Sequence, residues 1–258
     1  MNKNFIKEIY HLYEIDSTNR ELKNDKYDIG SFLYADVQTA GYGRNNSKFI
    51  SNNNDGLWCS FKIKLNIQKI KLLTQVIVIS LRNTLIKYLK EKNIQFYDNI
   101  FDNITIKWPN DLYVNDKKIS GILCESCFEN LDLKYIIVGI GINLNNIYFD
   151  NSIKNIATSV YLEYNVKICK EIFIDYLIRE INQNLNFLDE NLNDKNNYFI
   201  DYLNKYTYLR GKRIEIIKNN YNLIGDFYKI DIEGNLVIKV NDDLVICNSN
   251  EVKIVDYF

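Results

Sequence analysis

The sequence is poor in residues that build many common sites: its 258 residues include one proline, one histidine and two tryptophans. Because His11 is the single histidine, a histidine-based triad or a multi-histidine metal site is nearly excluded. We expect His11 to be a polar residue of a strand. No apolar run approaches membrane-spanning length, and the N-terminal residues lack the apolar stretch of a secretory signal. Neither membrane binding nor secretion is expected.

The five cysteines are an odd and scattered set, which favours free thiols in a reducing compartment. Cys124 and Cys127 form an isolated C-x-x-C pair, and without further ligands at metal spacing we do not expect a zinc or redox site there. The net charge of −1 gives no bulk attraction for a nucleic acid. We predict a cytoplasmic protein, with an organelle as the alternative.

Hydrophobic patterns predict both helices and strands. Residues 70–92 carry apolar side chains every four residues, which is typical of one long amphipathic helix, and residues 171–188 are similar. Residues 57–65 alternate like a half-buried strand, whereas residues 135–144 form the almost wholly apolar strand of a sheet centre. Two glycines at 139 and 141 interrupt that strand. Either close packing of a helix or the passage of a ligand ring would explain them.

The chain changes its pattern from Gly211 onward, where short strands alternate with turns such as Glu233-Gly234-Asn235. This pattern predicts a small antiparallel, barrel-like domain. With the boundary near residues 203–208, we predict two domains that comprise residues 1–206 and residues 207–258.

The single proline stands in the run Lys107-Trp108-Pro109-Asn110-Asp111, and Lys118 and Gly121 follow it. Proline fixes φ and removes a backbone donor, and the Asn-Asp pair suits a tight turn. We interpret the stretch as a strand, a corner and a hairpin that present Lys118 beside a glycine. The alternative is a sharp surface hairpin with solvated lysines.

Two polar segments precede that hairpin. Several possible N-cap residues lie near Ser17, and Thr18-x-x-Glu21 matches a capping box, so a short helix is predicted to begin there. The free backbone amides at its start either bind an anion or a polar ligand or are satisfied by capping alone. In Gly41-Tyr42-Gly43-Arg44 the glycines allow close approach of a phosphate or carboxylate, onto which Arg44 can fork. The loop lacks the endings of phosphate-binding and dinucleotide-binding motifs, so a flexible polar loop is the alternative.

Four segments in a fixed order resemble the biotin protein ligases: Ser17-Thr18-Asn19, Gln38 to Arg44, Lys107 to Asp111 with Lys118 to Glu125, and Gly139 to Asn143. The resemblance covers nearly the whole chain and implies an α+β fold, a mixed β-sheet backed by helices followed by a small SH3-like β-barrel. It implies that biotin and ATP, with Mg²⁺ as counter-ion, give biotinyl-5′-AMP. A lysine of a biotin carrier protein domain then takes the biotin, and no tightly bound cofactor is expected.

The resemblance also assigns roles to residues. Lys118 would bridge the biotin carboxylate and the α-phosphate as the first choice of catalytic residue, and Arg44, Lys107 and Asp111 would share the catalytic role. Asp111 is also the candidate ligand for Mg²⁺. The residues expected to contact biotin are Ser17, Thr18, Asn19, Gln38, Gly41, Tyr42, Gly43, Arg44, Lys118, Gly121, Leu123, Gly139, Gly141 and Ile142. Those expected to contact the nucleotide are Arg44, Phe49, Lys107, Asn110, Lys118 and Asn143.

The chain departs from the family pattern in the loop of residues 39–49, which contains Gly41 and Gly43 and is called the glycine loop below. Where Gly-Arg-Gly-Arg-Arg-Gly is usual, Tyr42, Asn45 and Asn46 replace two arginines and the last glycine, and Phe49 replaces the tryptophan that stacks on adenine. Each lost charge-assisted bond would weaken the hold on phosphate, or the order of the loop, by about 1–3 kcal/mol. One alternative is therefore a non-catalytic sensor of biotin or its adenylate, and another is a lipoate–protein ligase of the same superfamily.

The family's DNA-binding members carry a helix-turn-helix domain before the catalytic domain. Sixteen residues precede Ser17 in this sequence, too few for that domain, so we expect no operator binding. Both a monomer and a homodimer are compatible with the sequence.

Overall fold

The computed structural model describes residues 3–51, 53–92, 101–190, 194–218, 221–249 and 252–257. The strands of its larger sheet are β1 (Glu8–Ile15), β2 (Ser31–Gln38), β3 (Leu57–Ile63), β4 (Ile104–Lys107), β5 (Asp111–Val114), β6 (Lys117–Glu129) and β7 (Asp132–Ile142). They lie in the order β1-β2-β3-β7-β6-β5-β4. The sheet is mixed because β1 and β2 run parallel and the other neighbours antiparallel, and the apolar β7 lies at its centre as predicted.

The helices are α1 (Thr18–Glu21), α2 (Ile70–Glu91), α3 (Val160–Tyr164), α4 (Lys170–Glu190) and α5 (Asp194–Tyr206), with 3₁₀ turns at Arg44–Asn46 and Ile67–Lys69. The predicted apolar stripe of α2 is confirmed, since its members are fully buried. Helix α2 contacts β4, β5 and β6, and α4 and α5 pack against α2. The stretch Ile67–Glu91 is long and apolar enough to cross a membrane, but 78% of its most apolar window is buried inside the protein, as in a core helix.

A second, antiparallel sheet comprises β8 (Arg213–Lys218), β9 (Tyr221–Ile230), β10 (Leu236–Val240), β11 (Asp243–Cys247) and β12 (Val252–Tyr257), in the order β11-β10-β9-β8-β12. Its buried side chains, such as Ile214 and Ile238, belong to the same hydrophobic cluster as the stripe of α2. The turn between β9 and β10 also contacts the proline-containing corner, because the Trp108 indole N–H donates to the Gly234 carbonyl at 2.9 Å. The two sheets therefore share one core.

Strand β3 differs from the prediction. All seven of its residues are buried, whereas the sequence pattern predicted a half-buried strand. One face joins the main core, and the opposite face is covered by the segment between β1 and β2. There the Ser60 hydroxyl lies 2.7 Å from the Thr18 hydroxyl, and Lys62 donates to the Tyr27 carbonyl at 2.9 Å. The half-buried prediction was wrong because that short segment supplies a second cover.

The start of α1 also differs from the prediction. Ser17 is the N-cap and accepts from the Arg20 amide, while the Thr18 hydroxyl bonds to Gln38 at 3.0 Å. The predicted Thr18-x-x-Glu21 capping box is therefore wrong. The helix uses the preceding residue as its cap, which frees Thr18 for contacts across the sheet.

His11 lies in β1, as predicted, with its Nε2 atom 3.1 Å from the Asp36 carboxylate. All five cysteines are free thiols, and burial raises the pKa of Cys124 to about 11. Within the described ranges no group of three or more His, Cys, Asp or Glu side chains is placed to hold a metal ion.

Candidate active site

One cavity of about 300 Å³ collects the motif segments. It lies on the central strands, between the start of α1, the glycine loop, the proline-containing corner and β12. These segments are far apart in the sequence, and sheet topology brings them together. The predicted site residues that line it are Ser17, Thr18, Asn19, Gln38, Tyr42, Gly43, Arg44, Phe49, Lys107, Asn110, Asp111, Lys118, Gly121, Leu123, Gly139 and Gly141.

The hairpin of β5 and β6 brings a lysine and a carboxylate into this cavity. Its turn at Asn115 and Asp116 has positive φ angles of 47° and 65°, which short polar side chains tolerate. Lys118 Nζ lies 2.7 Å from Asp111 Oδ1. A Cβ atom at Gly121 would lie 3.0 Å from the same Nζ. The absence of a side chain at Gly121 therefore leaves space for the Lys118 ammonium group, which lies beside this glycine as the sequence predicted.

The glycine loop adds a second cation. Arg44 donates to the carbonyl of Ser249, which lies between β11 and β12. Burial lowers the pKa of the Arg44 guanidinium, and the charge of Asp111 opposes that shift. Lys107 and Lys48 also line the cavity, and Asp111 is the one carboxylate among the lining residues that the structure describes. The excess of cations favours an anionic ligand such as a phosphate or carboxylate.

The opposite part of the cavity is polar but uncharged. Gln38 Oε1 accepts from the Thr18 amide at 2.8 Å and from its hydroxyl at 3.0 Å. The Ser60 hydroxyl lies 2.7 Å from the Thr18 hydroxyl and donates to Asn19 Oδ1 at 2.5 Å. These four side chains are all at most 9% exposed. Buried donors and acceptors in this density suit a compact polar group with both kinds of partner, such as a cyclic urea.

The two glycines of β7 have separate explanations. A Cβ atom at Gly139 would lie 2.2 Å from Asn19 Oδ1, so close packing of helix α1 requires that glycine. A Cβ atom at Gly141 would lie 2.6 Å from the Phe49 ring. Phe49 itself packs edge-on against Trp58 at 5.7 Å between centroids. Helix packing accounts for the first glycine, and an aromatic side chain of the glycine-loop segment accounts for the second.

Three predicted residues do not line this cavity. Ile142 is fully buried in the core. Gly41 and Asn143 line a neighbouring cavity of about 720 Å³, with Tyr148 and Phe149 on its wall. Phe49 lines both cavities, so the two spaces lie on either side of the glycine-loop segment.

Several residues at the site have no role in the sequence-based prediction. Ser60 completes the polar end. Val252 and Ile254 of β12 line the cavity from the second sheet. Glu125 lies behind it and accepts from Asn19 and Tyr42. Glu125 belongs to the motif segment that runs from Lys118 to Glu125, which is a signal in the sequence, whereas the β12 residues are ordinary strand residues with no local signal.

The family model described as Biotin/lipoate A/B protein ligase family matches residues 12–143, just over half of the chain. The protein is 33% identical over 177 residues to a Bacillus subtilis protein named Bifunctional ligase/repressor BirA, and this match covers 66% of the chain and 51% of the relative. To the Escherichia coli protein of that name it is 25% identical over 230 residues, covering 87% and 67%. The chain thus spans about half the length of its Bacillus relative.

A solved structure, the biotin protein ligase from Aquifex aeolicus in complex with biotin and ATP, has a TM-score of 0.80 and 26% identity to this chain. The superposition covers 96% of this chain and 99% of the other. The matched family region contains every motif segment that lines the cavity from the larger sheet. By sequence and by fold, this chain belongs to the biotin/lipoate A/B protein ligase family.

Proposed function

We propose that this protein is an ATP-dependent biotin protein ligase. It forms biotinyl-5′-AMP from biotin and ATP and transfers the biotin to a lysine of a biotin carrier protein domain of a carboxylase. The observation that carries the proposal is a single cavity with a neutral polar end at Thr18, Asn19 and Gln38 and a cationic end at Lys118 and Arg44. Biotin has the same polarity, with a ureido group at one end and a carboxylate at the other.

The first step joins two anions. A biotin carboxylate oxygen attacks the α-phosphorus of ATP, and the bond to the bridging oxygen breaks so that pyrophosphate leaves. Lys118 would bridge the carboxylate and the phosphate, exchanging its 2.7 Å contact with Asp111 for them. Arg44 would neutralise the phosphate from the loop side. Fixed cations in a partly buried site stabilise the developing charge more than water does.

The second step removes the AMP. The carrier lysine amine attacks the acyl carbonyl, the carbon–oxygen bond to the phosphate breaks, and the amine gives up a proton. Asp111 is the carboxylate in the lining that can accept this proton. Lys118 and Arg44 would again hold the phosphate as AMP leaves.

The described residues do not form a magnesium cage. Asp111, the candidate ligand, is already paired with Lys118 at 2.7 Å, and it is the one acidic side chain in the described lining. Mg²⁺ prefers several oxygens and often takes them from phosphates. We infer that the ion enters with ATP as its counter-ion and screens phosphate charge there.

The neighbouring cavity is the proposed place of the nucleoside. Phe49 joins the two cavities and Asn143 lines the second one, in agreement with the nucleotide roles expected for both. The Asn143 amide donates to the Thr158 carbonyl at 3.0 Å, which leaves its oxygen to accept a bond. Phe49 can stack on a base in place of the usual tryptophan.

Lipoate is the competing substrate, since the family model includes lipoate ligases. The dithiolane ring of lipoate has no N–H donor and no carbonyl, so it can form no hydrogen bonds of this kind with the polar groups around Thr18, whereas a ureido group can both donate to them and accept from them. The cavity therefore favours biotin.

Biotin-dependent ATP–pyrophosphate exchange tests the proposal, with lipoate in a parallel reaction. Exchange with biotin alone is expected. Exchange with lipoate alone would replace the substrate. No exchange in either reaction, from folded protein that binds biotin, would favour a non-catalytic sensor and direct attention to Tyr42, Asn45 and Asn46 in the loop.

We further infer that the second sheet is an SH3-like barrel, that residues 1–206 form the catalytic unit and that residues 207–258 form the barrel. Five short antiparallel strands with bulges in two of the ladders support this inference. Five free thiols suit the reducing cytoplasm. The protein is a monomer or a homodimer, which sedimentation would decide.

A further inference from the structure

Glu125 lies outside the lining of the cavity and yet contacts two residues of that lining. From β6 its Oε2 atom accepts the Asn19 amide at 2.7 Å and the Tyr42 hydroxyl at 2.8 Å. Its Oε1 atom accepts from Lys23 at 2.9 Å. One carboxylate thus joins α1, which supplies the polar end of the cavity, to the glycine loop.

The hydrogen bonds at the polar end have a single consistent direction. A carboxylate can only accept, so Asn19 must turn its NH₂ group toward Glu125 and its oxygen toward Ser60. The Ser60 hydroxyl has one proton, which it gives to Asn19, so it can only accept across its 2.7 Å contact with the Thr18 hydroxyl, whose single proton is shared between Ser60 and Gln38 Oε1. The chain runs from Thr18 through Ser60 and Asn19 to Glu125. The carboxylate at its end fixes which atoms the cavity presents.

The second contact of Glu125 holds the loop. Tyr42 stands where the family usually has an arginine, and its ring also lies 5.6 Å from the Arg20 guanidinium. Tyr42 pairs with Lys48 in an isolated antiparallel bridge, so fixing Tyr42 also fixes the far end of the loop. Burial and the bond to Glu125 raise the pKa of Tyr42 to about 12, and its hydroxyl remains a donor at neutral pH.

We propose that Glu125 is a positioning residue that orients the Asn19 amide for biotin and, through the Tyr42 hydroxyl, keeps the glycine loop closed over the cavity before any ligand binds. The biotin part of this inference rests on the proposed function, whereas the loop part does not. In this chain a neutral tyrosine–carboxylate contact would order a loop that has lost two arginines. The adenylate would then be retained by a preformed cover.

Trypsin cleavage of the ligand-free protein tests the loop part directly. Lys48 is exposed and lies in the loop, so cleavage there reports the open population. Tyr42→Phe removes one hydroxyl and is expected to speed this cleavage roughly tenfold, as a lost bond to a charged acceptor implies. Tyr13→Phe is the matched control, because Tyr13 is 75% exposed on β1, and it should leave the rate unchanged. Equal rates in all three proteins would overturn the loop part.

Glu125→Gln tests both parts. It should speed cleavage at Lys48 as Tyr42→Phe does, and the double variant should be cleaved no faster than either single variant. In exchange assays Glu125→Gln should raise the KM for biotin about tenfold with a smaller change in kcat, whereas Glu129→Gln, farther along the same strand, should not. An unchanged KM would overturn the orientation of Asn19. A wild-type protein without exchange would refute the ligase but leave the cleavage result standing.

Discussion

Replacing Lys118 by alanine should remove a catalytic group while leaving the fold nearly unchanged. The ammonium group is the candidate bridge between the biotin carboxylate and the α-phosphate. Loss of one such transition-state donor costs about 10²–10³ in rate, or about 2.7–4 kcal/mol. Biotin-dependent pyrophosphate exchange by Lys118→Ala should fall by at least that factor.

The effect of the same change on stability should be small. The side chains of Lys118 and Asp111 are 33% and 18% exposed, so the ion pair contributes only about 1 kcal/mol. For a chain of this size that corresponds to a fall in Tm of about 2–4 °C. Adding Asp111→Asn removes the carboxylate that has lost its partner and should restore part of the Tm, but not the exchange.

Lys117→Ala is the matched control, because Lys117 is the neighbour of Lys118 in β6 and does not line the cavity. It should change neither exchange nor Tm appreciably. Exchange by Lys118→Ala within threefold of the wild-type rate, in protein with the expected Tm, would refute the bridging role.

Three further predictions concern the walls of the cavity. Gly139→Ala would place a Cβ atom 2.2 Å from Asn19 Oδ1 and should weaken biotin binding at least tenfold by calorimetry, with little change for ATP. Arg44→Gly should speed release of biotinyl-5′-AMP about tenfold in a filter-binding chase; unchanged release would refute the phosphate contact. Burial alone would raise the pKa of Glu125, but hydrogen bonds from Lys23, Asn19 and Tyr42 outweigh it and lower the pKa below its ordinary 4.5. The stabilisation is therefore complete above the unfolded pKa and lost as pH falls through the folded pKa, so the difference in Tm between the wild type and Glu125→Gln should shrink between pH 6 and pH 3.

Local pattern was sufficient for most of the architecture. The apolar stripe of α2 and the apolar run of β7 each predict which faces of the element are buried, because a helix buries one stripe and a central strand buries both faces. Strand β3 is where such patterns are insufficient. Its apolar and polar residues alternate because one face packs on the apolar core and the other face packs on the segment that contains α1. Sequence period cannot distinguish solvent from a polar cover such as the one around Ser60.

The site was predicted from motifs rather than from geometry, and its incomplete parts are those with long sequence separation. Lys118 and Asp111 lie on one hairpin, and their pairing follows from local turn chemistry. The contact of Tyr42 with Glu125 spans 83 positions and that of Arg44 with Ser249 spans 205. No periodicity carries such information, because each contact depends on how the loop and the two sheets meet.

The hydrogen bond from the Trp108 indole to the Gly234 carbonyl limits which second sheets from relatives could replace the one in this protein. A chimera that takes its second sheet from another family member must bring a β9–β10 turn of matching length, or the corner between β4 and β5 loses its support. Gly234 has a φ of +79°, and a Cβ atom there would lie 2.8 Å from Leu72. The two halves of such a chimera are therefore compatible only when the turn of one fits the tryptophan of the other.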